Sequence, residues 1–229
     1  MNIFKGLGVP KTIYAVDSEL NGRIEVTETG GTRRVKVGKI TQSISWDSPV
    51  CEKLVWGKVS ELLKREVPDL KSVLILGMGG GTMAHLISRA LPETSIVSVE
   101  LDPAMVEIAE KFFDVEAIPN HTIINGDALG VVIEPQKHGL RKDSFGALVV
   151  DIYVGEDYPD LGDTGNFMAA LRNMVSPGGL VIFNRIYLNH HQADVDSFKD
   201  QVEDFFQDVK EEIVAGYTNS DNILIYGRV

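Results

Sequence analysis

Three acids in this chain stand where an apolar run ends. Glu100 closes Ile96-Val97-Ser98-Val99, with Leu101 and Asp102 directly after it. Asp127 follows Thr122-Ile123-Ile124-Asn125-Gly126, and Asp151 follows Phe145-Gly146-Ala147-Leu148-Val149-Val150. A fourth run, Val73-Leu74-Ile75-Leu76, closes instead on Gly77-Met78-Gly79-Gly80-Gly81. Glycines let a turn close tightly and let a ligand approach the backbone, and a helix N-terminus beyond them offers free N–H groups. A carboxylate at the tip of the following strand accepts hydrogen bonds from both hydroxyls of a ribose, the role expected of Glu100. Asp127, beside Ala128, is placed to accept from an adenine amino group. Asp151 lies where the reacting end of a bound nucleoside would point; the competing reading is a loop-fixing or helix-capping aspartate. Tyr153, Glu156, Asp157 and Tyr158 follow in a stretch rich in acids and aromatics. Such a stretch suits a cationic acceptor through carboxylate pairing and cation–π contact, and equally suits a solvated loop.

These residues need a scaffold that brings strand ends to one edge. Apolar runs of four to six branched residues read as strands buried on both faces. Between them lie helical patterns: Met83, Leu86, Ile87 and Leu91 after the glycine turn, then Met105, Val106, Ile108, Ala109, Phe112 and Phe113 after Pro103. Strand, glycine turn, helix, strand and terminal acid form a nucleotide-binding βαβ unit. A helix from about Asn166 to Val175 is expected to stop at Ser176-Pro177-Gly178-Gly179. The strand Leu180–Asn184, a helix over 193–206 and two closing strands at 211–214 and 222–227 should follow. The class is α/β, with a mostly parallel, doubly wound sheet.

Ahead of this, residues 12–45 alternate as short strands separated by Asn21-Gly22 and Gly30-Gly31, which are hairpin turn pairs. They predict a small antiparallel sheet. Its one apolar face should sit against the rest of the chain or against another subunit, the natural place for a homodimer contact. The expected domains are a β-hairpin domain over 1–48 and a nucleoside-binding catalytic domain over 49–229. Asp47-Ser48-Pro49 reads as the start of a helix that runs to Val67.

Bulk properties narrow the partners. The chain has 229 residues, 44% apolar and 24% charged, with a net charge of −11. No excess of Lys and Arg exists to replace counterions, which argues against a nucleic-acid backbone or an anionic membrane as the partner. The single Cys51 cannot form an internal disulfide. No apolar run is long enough to span a bilayer. A soluble, cytoplasmic protein is expected. Asn189-His190-His191 lacks further ligands at metal spacing, so no metal is expected.

The segments VLILGMGGGTMAHLI, VSVELDPAMVEIAEKFF, NGDA and FGALVVDIY, together with GRIEVTETGGTRRVKVGKITQS near the N-terminus, resemble the polyamine aminopropyltransferases, spermidine synthase and its relatives. That family shares the Rossmann-like fold of the methyltransferases that use S-adenosyl-L-methionine (AdoMet). The resemblance implies that fold here, with the small N-terminal antiparallel β domain, and covers nearly the whole chain. It implies that Gly77, Gly79, Gly80 and Gly81 cradle the methionine part of the nucleoside. Glu100, Leu101 and Asp102 would then face ribose, with Asp127 and Ala128 at adenine. Asp151 matches the first aspartate of a catalytic D-x-x-D pair, and Tyr153 falls inside that motif. Gln42 on the last strand of the small sheet, with Tyr153, Glu156 and Asp157, would contact the acceptor.

The chain also departs from the family. Gly80 replaces an aspartate that contacts the aminopropyl amine, Val154 replaces the second catalytic aspartate, and Cys51-Glu52 replace a Tyr-His/Gln pair. Decarboxylated AdoMet presents a bare ammonium that a buried aspartate would welcome. AdoMet adds a carboxylate that such an aspartate would repel, so Gly80 removes a barrier to AdoMet. The expectation is a spermidine-synthase-like transferase, with methyl transfer from AdoMet to a small, amine-type acceptor ahead of aminopropyl transfer from decarboxylated AdoMet. A non-catalytic nucleoside-binding protein and an NAD(P)-dependent oxidoreductase remain open, the latter without a Tyr-x-x-x-Lys pair to support it.

Overall fold

The computed structural model describes residues 8–153, 164–187, 192–216 and 221–229. Four antiparallel strands come first: β1 (Lys11–Ser18), β2 (Gly22–Thr29), β3 (Thr32–Val37) and β4 (Ile40–Ile44). Thr29 pairs with Thr32 across Gly30 and Gly31, which both hold positive φ (58° and 84°), as a two-residue hairpin turn demands. Alternate residues Ile24, Val26, Val35 and Val37 are buried on one face. That face closes on Met105, Ile108 and Phe113 of helix α3 (Pro103–Phe112) and the residue after it. The apolar face expected to need a cover is therefore covered from within the chain.

The remaining elements are α1 (Val55–Glu66), β5 (Ser72–Leu76), α2 (Thr82–Ala90), β6 (Ser95–Glu100), β7 (His121–Asn125), α4 (Ala128–Ile133), β8 (Phe145–Val150), α5 (Thr164–Met174), β9 (Val175–Tyr187), α6 (Gln192–Glu203), β10 (Gln207–Val214) and β11 (Asp221–Arg228). The sheet order is β10-β11-β9-β8-β5-β6-β7. Strands β5 to β9 pair in parallel, and β11 runs antiparallel to β9 and β10. After β5 the chain first builds outward through β6 and β7, then returns to the other side of β5 with β8 and β9. The carboxyl ends of β5 and β8 are thus the topological switch point, where an open α/β sheet has its ligand crevice.

Both faces of this sheet are buried, by period-two alternation along each strand. Val73 and Ile75 of β5 pack with Val59, Leu62, Leu63 and Ile87 from α1 and α2. Leu74 and Leu76 pack with Val131, Leu171 and Val202 from α4, α5 and α6. Each fully buried aliphatic side chain of this kind stabilises the fold by about 1.5–3 kcal/mol. Truncating Phe183, wholly buried between Phe198 and Phe206, would cost about 3–5 kcal/mol.

Several boundaries differ from expectation. The helix does not begin at Ser48-Pro49: a 3-10 turn spans Cys51–Lys53, and Leu54 is extended (φ −88°, ψ 173°), so α1 starts at Val55. The turn lies flat on the helix, because a Cβ on Gly57 would run into the Glu52 backbone. At the other end α1 finishes at Glu66, with Val67 as its C-cap, ahead of Pro68. Ser176–Gly179 do not leave the sheet. Phe145 pairs with Val175 and Ala147 with Leu180, so these four residues bulge within β9. The Gly178 amide donates to the Val229 carbonyl and the Val229 amide to that of Gly179, which holds the bulge on the ladder. Strand β10 also begins earlier than expected, at Gln207. Among the described residues no helix is long and apolar enough to cross a membrane.

Candidate functional site

The glycine turn leaves β5 at the switch point. Gly77 has φ 90°, and a Cβ there would collide with the carbonyl oxygen of Asp151, so the turn and the end of β8 touch backbone to backbone. Gly80 is confined differently. Its amide donates to Ser43 Oγ at 2.7 Å, and a Cβ would lie 2.8 Å from Ser43 Cβ and 3.4 Å from the Phe113 ring. Ser43 comes from β4, which is pinned to the start of α2 because the Ile44 amide donates to Thr82 Oγ1 at 3.1 Å. The small sheet thus backs the turn directly. Gln42, one residue earlier on β4, sets its carbonyl oxygen 3.3 Å from where a Gly79 Cβ would be.

The amides of the turn are all used within the protein. Gly77 donates to Val99 O at 2.9 Å and Gly81 to Met78 O at 3.0 Å. Met78 and Gly79 both donate to Glu100 Oε2, at 3.2 and 2.9 Å. Glu100 Oε1 accepts from the Asp102 amide at 3.1 Å. Burial pushes the Glu100 carboxyl above the usual range, against the pull of these three N–H donors, with Asp102 adding to the rise. The turn therefore offers no free amide; Gly77 and Gly79 are its partly exposed residues, and the Glu100 carboxylate is braced against it.

The other acids divide by what already holds them. Asp102 is 2% exposed and caps α3 by accepting from the Ala104 amide at 2.9 Å. Its other oxygen takes Ser18 Oγ and Asn21 Nδ2 from the β1–β2 turn, at 2.5 and 2.7 Å. Both oxygens of Asp102 are thereby committed to the cap and to the small sheet. Leu101 beside it is 43% exposed. Asp127 is exposed and caps α4, accepting from the amides of Leu129 and Gly130 at 3.3 and 3.1 Å, with Ala128 buried behind it.

Asp151 sits at the switch point, partly buried, its amide bonded to Leu76 O at 2.8 Å. Burial pushes its carboxyl up to about 6; the Glu100 charge adds to this, and a hydrogen bond from Asn184 opposes it. That bond runs from Asn184 Nδ2 to Asp151 Oδ1 at 2.6 Å. Tyr153 donates its hydroxyl to the Asn184 carbonyl at 2.9 Å, so it stands beside Asp151 through the same residue. Glu156 and Asp157, together with Asn189-His190-His191, lie outside the described residues. Among the described residues, no group of three or more His, Cys, Asp or Glu side chains could hold a metal ion.

The turn, Glu100, Asp151, Tyr153 and Gln42 meet around the ends of β5, β6 and β8 and the adjoining β4. Sequence reasoning passed over Ser43, Asn184 and Asn222. Asn184 carried a readable signal: it ends the run Leu180-Val181-Ile182-Phe183 as Glu100 and Asp151 end theirs. Ser43 carried none, since its role depends on how β4 lies on the turn.

Residues 58–227 match the model of the spermine/spermidine synthase domain family. A polyamine aminopropyltransferase of Vibrio vulnificus is 25% identical over 151 residues, 65% of this chain and 50% of that protein. An eEF1A lysine and N-terminal methyltransferase homolog of Drosophila pseudoobscura pseudoobscura is 24% identical over 220 residues, covering 81% of this chain and 32% of that one. The chain thus spans half the length of the first and about a third of the second. The spermidine synthase of Thermotoga maritima superposes with a TM-score of 0.75 over 96% of this chain and 73% of its own, at 16% identity, a likeness of fold.

Proposed function

Since the chain belongs to the spermine/spermidine synthase family, we propose that it is a transferase that binds an AdoMet-type nucleoside at the β5–β8 switch point and acts on a small amine. Such a nucleoside supplies an electrophilic carbon on a sulfonium centre. Glu100, braced by three amides, would accept from the ribose hydroxyls, with Leu101 against the adenosyl group. Asp127 has lone pairs left beside its cap contacts for an adenine amino group, next to Ala128. Gly77, Gly79, Gly80 and Gly81 shape the floor under the methionine chain. Asp102 contributes through its amide and by anchoring α3. The residues fit the group: Glu100 and Asp151 stand at the ends of β6 and β8 on either side of β5, near enough for one charge to act on the other, where a sulfonium would bring positive charge.

Asp151 would orient the acceptor amine and take its proton, a task suited to a carboxyl held near 6. Tyr153, Gln42, Glu156 and Asp157 are the proposed acceptor contacts.

One observation favours methyl transfer from AdoMet over aminopropyl transfer. The Cβ direction of Gly80 is filled by Ser43 and Phe113, so the turn has no room for an acid that would select a bare ammonium. The naming of one relative as a methyltransferase points the same way. Aminopropyl transfer from decarboxylated AdoMet is the second reading, supported by the relatives named as polyamine aminopropyltransferases. Mass spectrometry of reactions with AdoMet or decarboxylated AdoMet, each with putrescine and a panel of small amines, tests the choice. Methylated amine from AdoMet alone supports the first reading. Spermidine from decarboxylated AdoMet and putrescine would replace it with the second.

A further inference from the structure

Three adjacent strands each deliver one polar side chain to the same edge of the sheet. Asp151 follows β8, Asn184 lies in β9 and Asn222 in β11. Asn222 Nδ2 donates to Asn184 Oδ1 at 2.9 Å, and Asn184 Nδ2 donates to Asp151 Oδ1 at 2.6 Å. Asn184 is 3% exposed, in a strand whose preceding four residues are fully buried apolar side chains. An unpaired amide there would cost more than a well-packed leucine, so its retention needs a partner that repays it. Its amide cannot flip without setting two acceptors face to face, because Asn222 fixes Oδ1 as the accepting end. The donor end is therefore locked toward Asp151. The second carboxylate oxygen, Oδ2, has no protein hydrogen-bond partner among the described residues.

We propose that Asn184, held by Asn222, is a positioning residue that fixes the Asp151 carboxylate by one oxygen and leaves the other free to take a proton from the acceptor. The role in transfer rests on the function proposed above; the effect on the carboxylate does not. Among the described residues, few groups face Asp151. Strand β5 offers the backbone of Leu76 and Gly77, β6 the Glu100 carboxyl, β9 Asn184, and the segment after β8 Tyr153. Among the described residues Glu100 is the charged group that acts on Asp151, and its charge adds to the rise. Removing the Asn184 amide deletes a bond that favours the ionised form, so the protonation midpoint of Asp151 must rise.

The test is carboxyl-carbon NMR of labelled protein across the pH range, without any ligand. In Asn184→Leu the Asp151 midpoint should move up by about one pH unit, the worth of one hydrogen bond to a charged group. In Asn222→Ala it should move the same way by less, and this variant keeps the β9 core intact should Asn184→Leu fail to fold. A midpoint unmoved in the folded variants overturns the proposal. In parallel, calorimetry with S-adenosylhomocysteine should give the same affinity for both variants and wild type. Where transfer is detected, kcat should fall with its acid limb displaced upward, and KM for the nucleoside should hold. Loss of nucleoside binding in the variants would contradict a role confined to Asp151. If wild type itself bound no adenosyl nucleoside, the functional reading would fail while the NMR result still decided the positioning claim.

Discussion

The two halves of the crevice satisfy their carboxylates by different means. On the β6 side, Glu100 is braced by the backbone amides of Met78, Gly79 and Asp102, all within or next to one βαβ unit. On the β8 side, Asp151 is held by a side-chain amide from β9, itself held by one from β11. Backbone donors belong to the turn, so most substitutions leave them in place. Side-chain donors can be changed one at a time. Under the proposed function, the first half would hold the constant part of the ligand, and the second would be open to adjustment around the reacting group. The same contrast appears in pKa: burial raises both carboxyls, but Asp151 has one hydrogen bond to oppose it and Glu100 has three.

The contrast can be broken most forcefully at Asp151. Asp151→Asn should lower turnover by about 10²–10⁴-fold, the usual range for a lost general base, with S-adenosylhomocysteine affinity held within about twofold. Single-turnover assays beside calorimetry check this, and unchanged turnover would remove Asp151 from the reaction. Glu100→Ala should do the reverse, weakening the nucleoside by about 1–3 kcal/mol through hydroxyls left unpaired on burial. Affinity that survived this change would contradict the ribose assignment.

The pH dependence of stability sharpens the comparison further. A carboxyl at about 6 in the folded chain, against about 3.9 unfolded, keeps its proton longer when folded. Its contribution is fully present below about pH 4 and is lost as pH rises through 6. Melting curves should therefore show Asp151→Asn gaining on wild type between pH 4 and 7, by about 1–3 kcal/mol at most. A constant difference would place the Asp151 carboxyl in ordinary solvent. The smallest effect is expected where a carboxylate serves architecture. Asp102→Ala loses a cap and the tie to Ser18 and Asn21, costing about 1–2 kcal/mol of stability in urea denaturation, with nucleoside affinity little changed. A large loss of affinity would move Asp102 into the site.

How much of this could be read in the sequence follows from the same division. The parallel strands are legible because burial on both faces leaves apolar runs, and the turn and Glu100 because they are neighbours within one βαβ unit. The hairpins were marked by Gly30 and Gly31. Asn184 and Asn222 meet only through the β11–β9–β8 register, which no local pattern encodes. Ser43 is silent for the same reason, and the start of α1 was misplaced because nothing in Leu54 announces an extended residue. At Asp102 the sequence does not separate a cap from a ligand contact, since capping and binding use the same residue types at the same place.

The central claim is that the switch-point crevice holds an adenosyl sulfonium nucleoside whose carboxylate is tolerated above Gly80. Titration calorimetry of the protein with AdoMet and with decarboxylated AdoMet tests it most directly. The account predicts that both bind, with AdoMet at least as tight. Binding of decarboxylated AdoMet alone would contradict the reading of Gly80, and binding of NAD with neither sulfonium compound would contradict the account as a whole.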